Sequence, residues 1–349
     1  MAKSARMGQR SEAASGLLMV SPTAIYALLL LAAPLALIFA YSFMTDGYLT
    51  IEPIFTFANY IEAWSNDIYR VILLRSVWVS MAVTAATVLM AFPLAYYVSF
   101  HVHPSKKSIW LFLITIPFWT SYLIRVFLWK VILGFNGVVN SGLMDLGLIT
   151  EPLTFILYNT NAIVITLAHA YAPFAILPIF VALEKIDRSF LEAGQDLGES
   201  SLATFLRVTL PLAMPGVISA VMIVFIPVIG DYVTPHLVGG PEGKMVANLV
   251  YLQYMKLDNY PAGSAVAISS MLLVGLVLLM AAAQVVVFGR VFRRFLGIVP
   301  MYMVILVALA AAQSLLFLVA LVWLITGNTV ATAVFAALLH LAMLLRRAG

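Results

Sequence analysis

Residues Glu192 to Pro211 read EAGQDLGESSLATFLRVTLP. The segment is polar, yet it lies between two long apolar stretches, Asn161 to Leu183 and Ala213 to Tyr232. Leu191 to Leu197 consists of helix-compatible residues, and Gly198 supplies a C-terminal break. Ser200 or Ser201 can cap a second helix running through Arg207. Pro211 and Pro215 then open the next apolar stretch. The pattern predicts a helix, glycine and helix elbow at a membrane surface, a shape that another protein can grip and move as a rigid body. An ordinary amphipathic loop would show any one of these features; their joint spacing favours a docking surface for a partner on the inner side.

The rest of the chain supplies the membrane. Of 349 residues 63% are hydrophobic and 10% charged, with mean hydropathy +1.05, whereas a soluble domain carries about 25% charged residues. A span needs about 20 mostly apolar residues to cross ~30 Å of hydrocarbon. Six windows meet this: Ala24 to Phe43, Ser76 to Phe100, Ile109 to Leu133, Asn161 to Leu183, Ala213 to Tyr232 and Ala262 to Phe288. A further pair, Val299 to Ile325 and Thr329 to Leu345, is split by the turn Thr326-Gly327-Asn328 and predicts a hairpin after the sixth span. No internal repeat or low-complexity linker marks off a soluble domain. The expected divisions are an N-terminal inner segment (1–20), a first span with its outer loop (21–75), a core (76–288) containing the inner loop 184–212, and a C-terminal extension (289–349).

Orientation follows from Lys and Arg, which short inner loops retain. Lys3, Arg6, Arg10, Lys106, Lys107, Lys185, Arg188, Arg207, Arg290, Arg293, Arg294, Arg346 and Arg347 fall in the segments assigned to the inside, 13 of the chain's 19 basic residues. Both termini are therefore expected inside. The outer loops carry Asp46, Glu52, Glu62, Asp67, Asp145, Glu151, Glu242 and Asp258. The net charge of +4 thus reflects insertion topology and gives no reason to expect a nucleic-acid partner. The basic N-terminus precedes a full-length apolar span without an A-x-A-like cleavage site, so the first span is expected to be retained. With no cysteine, disulfides and thiolate metal sites are excluded.

The spacing of E-A-G at Glu192, Ala193 and Gly194, then Gly198 and Glu199, Ala203, Val208, Leu210 and Pro211 resembles the EAA loop of ABC-importer permeases, with Gly194 for the usual third-position Ala and Val208 for the usual Ile. The resemblance extends over roughly Pro22 to Gly297. It narrows to the permeases of spermidine/putrescine importers through PFWTSYLIRVFLWKVIL (Pro117 to Leu133), NGVVNSGL (Asn136 to Leu143) and FIPVIGDYVTPHLVGG (Phe225 to Gly240). It implies an all-α polytopic membrane protein, a type I permease fold of six core transmembrane helices plus the C-terminal hairpin, in a bacterial inner membrane. It also implies a second, similar permease subunit, two cytoplasmic ATPase subunits that bind ATP and Mg, and a periplasmic or extracellular substrate-binding protein. This chain would bind no cofactor and hydrolyse no ATP. The hairpin departs from that pattern, which normally ends soon after the sixth span.

Charges inside a membrane cost ~2.5 to 3.5 kcal/mol each at a helix centre on insertion scales, so they are functional candidates by default. Asp231, beside Tyr232 at the outer end of the fifth span, is placed to attract a cation, and Arg125 in the third span is placed to pair with it. A locking salt bridge or a snorkelling Arg explains the same residues. Trp119, Tyr122 and Trp129 are candidates for stacking on an alkylammonium, a contact worth ~0.5 to 2 kcal/mol, although such residues more often form a lipid-facing or interfacial belt. Asn136 and Asn140 with Gly137 read first as a turn and second as an outer gate.

Other patterns argue against enzymes. His101 and His103 lack a third ligand, so metal binding there is not expected. There is no H-E-x-x-H, no G-x-S-x-G and no pair of intramembrane carboxylates. Gly239 to Met245 (GGPEGKM) is one residue short of a phosphate loop, ends in Met rather than Ser/Thr, and falls outside. A cationic polyamine is the first expectation for cargo; 4-aminobutyrate, another amino acid derivative, an opine or ferric iron would use the same machine. A gradient-driven secondary transporter would need repeats with broken helices and a buried ion site, and neither is visible.

Overall fold

Among the described residues five helices are long and apolar enough to cross a membrane, and a bent pair makes a sixth if it counts as one span. The computed structural model describes residues 2–47 and 50–295, so the expected hairpin at Val299–Ile325 and Thr329–Leu345 lies outside the described residues. Helix α1 (Ala2–Tyr41) carries the first apolar stretch over Ser15–Tyr41, and a short antiparallel ribbon of β1 (Thr45–Gly47) and β2 (Thr50–Glu52) follows it. Then come α2 (Ala58–Ser65), α3 (Asp67–Phe100), α4 (Pro104–Thr115), α5 (Tyr122–Ile132), α6 (Val138–Asp145) and α7 (Thr160–Glu184). The elbow comprises α8 (Arg188–Asp196) and α9 (Ser201–Thr204), and α10 (Leu210–Ile229), α11 (Val233–Val238), α12 (Val246–Met255) and α13 (Tyr260–Phe295) complete the described chain.

The core is the trio α3, α7 and α10. Val79, Val83, Ala91, Ala95 and Val98 of α3 meet Ile163, Leu167, Ala175, Ile179 and Leu183 of α7, with Ala213, Ala220, Val224 and Val228 of α10 closing the third side. Lipid is as apolar as these side chains, so association depends on close packing, which small residues permit. Gly216 is the extreme case: a Cβ there would stand 2.5 Å from both the Ala182 Cβ and the Pro178 carbonyl oxygen. Buried hydroxyls along α3 turn back on their own helix, Ser76 to Ile72, Thr84 to Ser80 and Thr87 to Val83, at 2.6 to 2.7 Å. A second cluster joins Leu73 and Val77 to Leu249 of α12 and to Val266 and Leu273 of α13.

Two expectations need correction. The apolar window Ile109 to Leu133 is not one continuous helix, because α4 runs through a 3-10 turn, Ile116–Trp119, into two extended residues, Thr120 and Ser121, and α5 departs at 86°. Pro117 opens the turn, and sharp kinks of this kind gather at Pro and at small polar residues. Hydropathy averages over such a break. The helix after Ser200 is likewise not a separate element ending near Arg207. After α9 the chain forms a π-helical stretch, Phe205–Thr209, that continues into α10 without interruption.

Candidate functional site

The elbow is built by two caps. Asp187 caps α8 by accepting from the Ser189 amide at 3.0 Å. At the other end, the Gly198 amide donates to Gln195 O at 2.9 Å and the Glu199 amide to Gly194 O at 3.1 Å, the paired bonds of a Schellman termination. Gly198 sits at φ +83°, with open space where a Cβ would project. Glycine is thus required there by backbone conformation and not by crowding.

Ser200 caps α9, accepting from the Ala203 amide at 3.3 Å. Gly194 is buried against Thr204, whose Cγ2 would lie 3.2 Å from a Cβ at that position. Arg207 pairs with Glu199 across the turn. Val208, Leu210 and Pro211 are half-buried where the π stretch enters α10, and Ala203 is half-buried as well. Glu192 and Ala193 are exposed, as are the large apolar side chains Phe190, Leu197 and Leu202. The elbow thus presents apolar side chains on a capped, braced frame.

At the far end of α10 the structure brings together three of the predicted residues, Tyr122, Arg125 and Asp231. Tyr122, Arg125 and Trp129 lie at i, i+3 and i+7 of α5, one face of a helix. The Tyr122 hydroxyl donates to Asp231 Oδ2 at 2.8 Å and lies 2.7 Å from Thr234 Oγ1. Arg125 Nη1 donates to Ala170 O at 3.4 Å, and its guanidinium lies 6.0 Å from the Phe118 ring and 5.9 Å from the Tyr122 ring. Trp129 Nε1 donates to His169 Nδ1 at 3.1 Å.

The proposed Arg125 and Asp231 ion pair is absent among the described residues. α10 ends at Ile229 with Gly230 as its C-cap, so Asp231 stands in the break before α11 and not within a span. It is 8% exposed, and its Oδ1 accepts from the amides of Val233 at 3.0 Å and Thr234 at 3.4 Å. Backbone N–H groups and a tyrosine satisfy this carboxylate, which leaves the guanidinium to the aromatic rings.

The other candidates fall elsewhere. Trp119 is 81% exposed and lies at the kink, outside this cluster. Tyr232 stacks on His236 and meets Tyr251, at ring separations of 5.4 and 4.5 Å. Asn136 is exposed, while Asn140 is buried and bonds to Gly134 O at 3.2 Å and to the Leu153 amide at 2.8 Å. His103 caps α4.

The elbow thus leads through a π-helical stretch into a core span, and that span ends at a polar junction with a kinked neighbour. Residues 54–292 match the family of binding-protein-dependent transport system inner membrane components. This chain belongs to that family. The permease is 36% identical over 246 residues to the spermidine/putrescine transport system permease protein PotB of Haemophilus influenzae, covering 70% of this chain and 85% of that one. It is 33% identical to PotB of Escherichia coli over 70% of this chain and 89% of the relative. A bacterial alginate ABC transporter, solved in complex with alginate pentasaccharide-bound periplasmic protein, superposes with a TM-score of 0.58 at 16% identity, over 78% of this chain and 93% of that one. That likeness shows the fold, and the family match makes the chain a transport subunit of the binding-protein-dependent class.

Several residues of this permease escaped the sequence. Lys107 and Glu184 form an ion pair between spans, Thr204 fits against Gly194, and Asn248 Nδ2 donates to Tyr232 O at 2.9 Å. Each depends on a partner between 10 and 77 residues away, and no local pattern signals it.

Proposed function

We propose that this permease is one of two membrane subunits of an ATP-driven importer whose cargo is a small polycation, spermidine or putrescine. The observation that carries the mechanism is the unbroken helical path from Ser201 through Phe205–Thr209 into α10, with α8 braced against it by Gly194 on Thr204. Displacement of α8 by an ATPase is then delivered to a span that ends at Asp231. On this reading the elbow faces the cytoplasm with both termini, two ATPase subunits bind ATP and Mg, and a loaded binding protein docks on the opposite face. ATP binding closes the ATPases, the elbows move, and the path between the paired permeases opens alternately to each side. The names of the two similar permeases support the polyamine cargo.

Tyr122, Arg125, Trp129 and Asp231 flank the path, with Trp119 placed to stack on an alkylammonium. Asp231, already satisfied, shapes the site more than it binds charge.

The test is uptake of radiolabelled putrescine and spermidine into proteoliposomes holding the complete complex with ATP inside, with 4-aminobutyrate as competitor. Saturable uptake that needs the binding protein and ATP is expected. Uptake of the competitor alone would discard the polyamine, and uptake without ATP would overturn the importer.

A further inference from the structure

Lys106 and Lys107 are neighbours, and retention of positive charge accounts for both in the same way. The structure separates them. Lys106 is exposed, whereas the Lys107 side chain is 13% exposed and turned into the junction where α3, α4 and α7 meet. Its Nζ donates to Glu184 Oε1 at 2.7 Å, to Glu184 Oε2 at 2.8 Å and to the Ser99 carbonyl at 2.8 Å. An ammonium has three protons, and here all three are used. Ser99 Oγ donates back to Glu184 Oε2 at 3.1 Å. One turn on, Arg188 at the start of α8 donates from Nη2 to Phe100 O at 3.3 Å, and a cavity of about 300 Å³ opens beside these groups.

The position of this knot gives it a role. Arg207 with Glu199 joins residues close in sequence, whereas Lys107 with Glu184 ties different membrane helices together. Glu184 is the last residue of α7, and α8 begins only at Arg188. A load on α8 therefore enters the membrane through α7 at Glu184 as well as through α10. Packing already joins α7 to α3 and α10, and the clamp extends that body to α4. With it, the first turns of α4 must follow, and through α4 the kinked α5.

We infer that Lys107 and Glu184 are positioning residues for transport, locking the ends of α3, α4 and α7 into one body so that elbow motion reaches the third span. This rests on the importer reading above.

The test uses the complete complex in proteoliposomes, comparing ATP hydrolysis with polyamine uptake for wild type, K107M, E184Q, K107R and K106M. K107M and E184Q are expected to keep hydrolysis but lower uptake per ATP about tenfold, within the range usual for coupling between sites. K107R, which keeps the charge and the donors, should retain most of the coupling, and K106M should match wild type. Unchanged uptake per ATP in K107M and E184Q overturns the inference. So does a parallel fall of hydrolysis and uptake in E184Q, or failure of E184Q to assemble, because either outcome makes the pair a fold element only. If wild type shows no ATP-driven uptake, the importer reading itself fails, whatever the variants do.

Discussion

Tyr122 and Asp231 are joined by a 2.8 Å hydrogen bond that fastens the second half of the kinked span to the break at the end of α10. Removing the phenolic oxygen leaves Asp231 Oδ2 buried without its donor, a loss of about 1 to 3 kcal/mol. Y122F should therefore lower the melting temperature of the purified complex. D231N should be milder than D231A, because an amide oxygen can still accept from the Val233 and Thr234 amides. Equal melting temperatures for D231N and D231A would show that these caps contribute nothing.

Gly216 tests the close approach of α7 and α10. G216A drives a Cβ to 2.5 Å from the Ala182 Cβ and from the Pro178 oxygen, and overpacking of this kind costs about 1 to 3 kcal/mol. Membrane yield should fall. Adding A182G removes only one obstacle, since the Pro178 carbonyl remains, so the double variant is expected to stay impaired. Wild-type yield of G216A A182G would refute the backbone contact.

At Gly198 the constraint is φ +83° in open space. A left-handed conformation costs an L-residue about 1 to 2 kcal/mol, and Asn tolerates it best. Uptake by the reconstituted complex should therefore decline in the order wild type, G198N, G198A, G198V, with insertion intact throughout. Normal uptake by G198V would remove the elbow from the coupling path.

Asp187 sets a pH limit on α8. Hydrogen bonding with Ser189, its amide first and its hydroxyl second, holds the carboxyl below the ordinary 3.8. A carboxyl depressed in the folded state stabilises above its unfolded pKa and loses that contribution as pH falls through the lower folded value. Proteolytic protection of the elbow should hold from pH 8 to the ordinary carboxyl range, decline at more acid pH, and be weaker at pH 7 in D187A. A D187A elbow protected as well as wild type at pH 7 would deny the cap.

Much of this was legible along the chain because it depends on near neighbours. The apolar windows, the Gly198 break and the Ser200 cap each require only residues within a few positions, so composition and turn chemistry reveal them. Window edges were less secure: the fifth helix stops at Ile229, which moves Asp231 out of the span and gives it backbone donors in place of Arg125. The kink between Trp119 and Tyr122 was hidden because apolar residues continue on both sides of it.

The residue order alone therefore specifies a polytopic helical permease with a capped elbow, since span length, charge placement and turn residues act locally. Which polar groups meet is settled only by packing. Tyr122 finds Asp231 across 109 residues, and Lys107 finds Glu184 across 77. A buried donor or acceptor takes whichever partner the assembled helices bring within about 3 Å, and that choice exists only once α3, α5, α7 and α10 have come together.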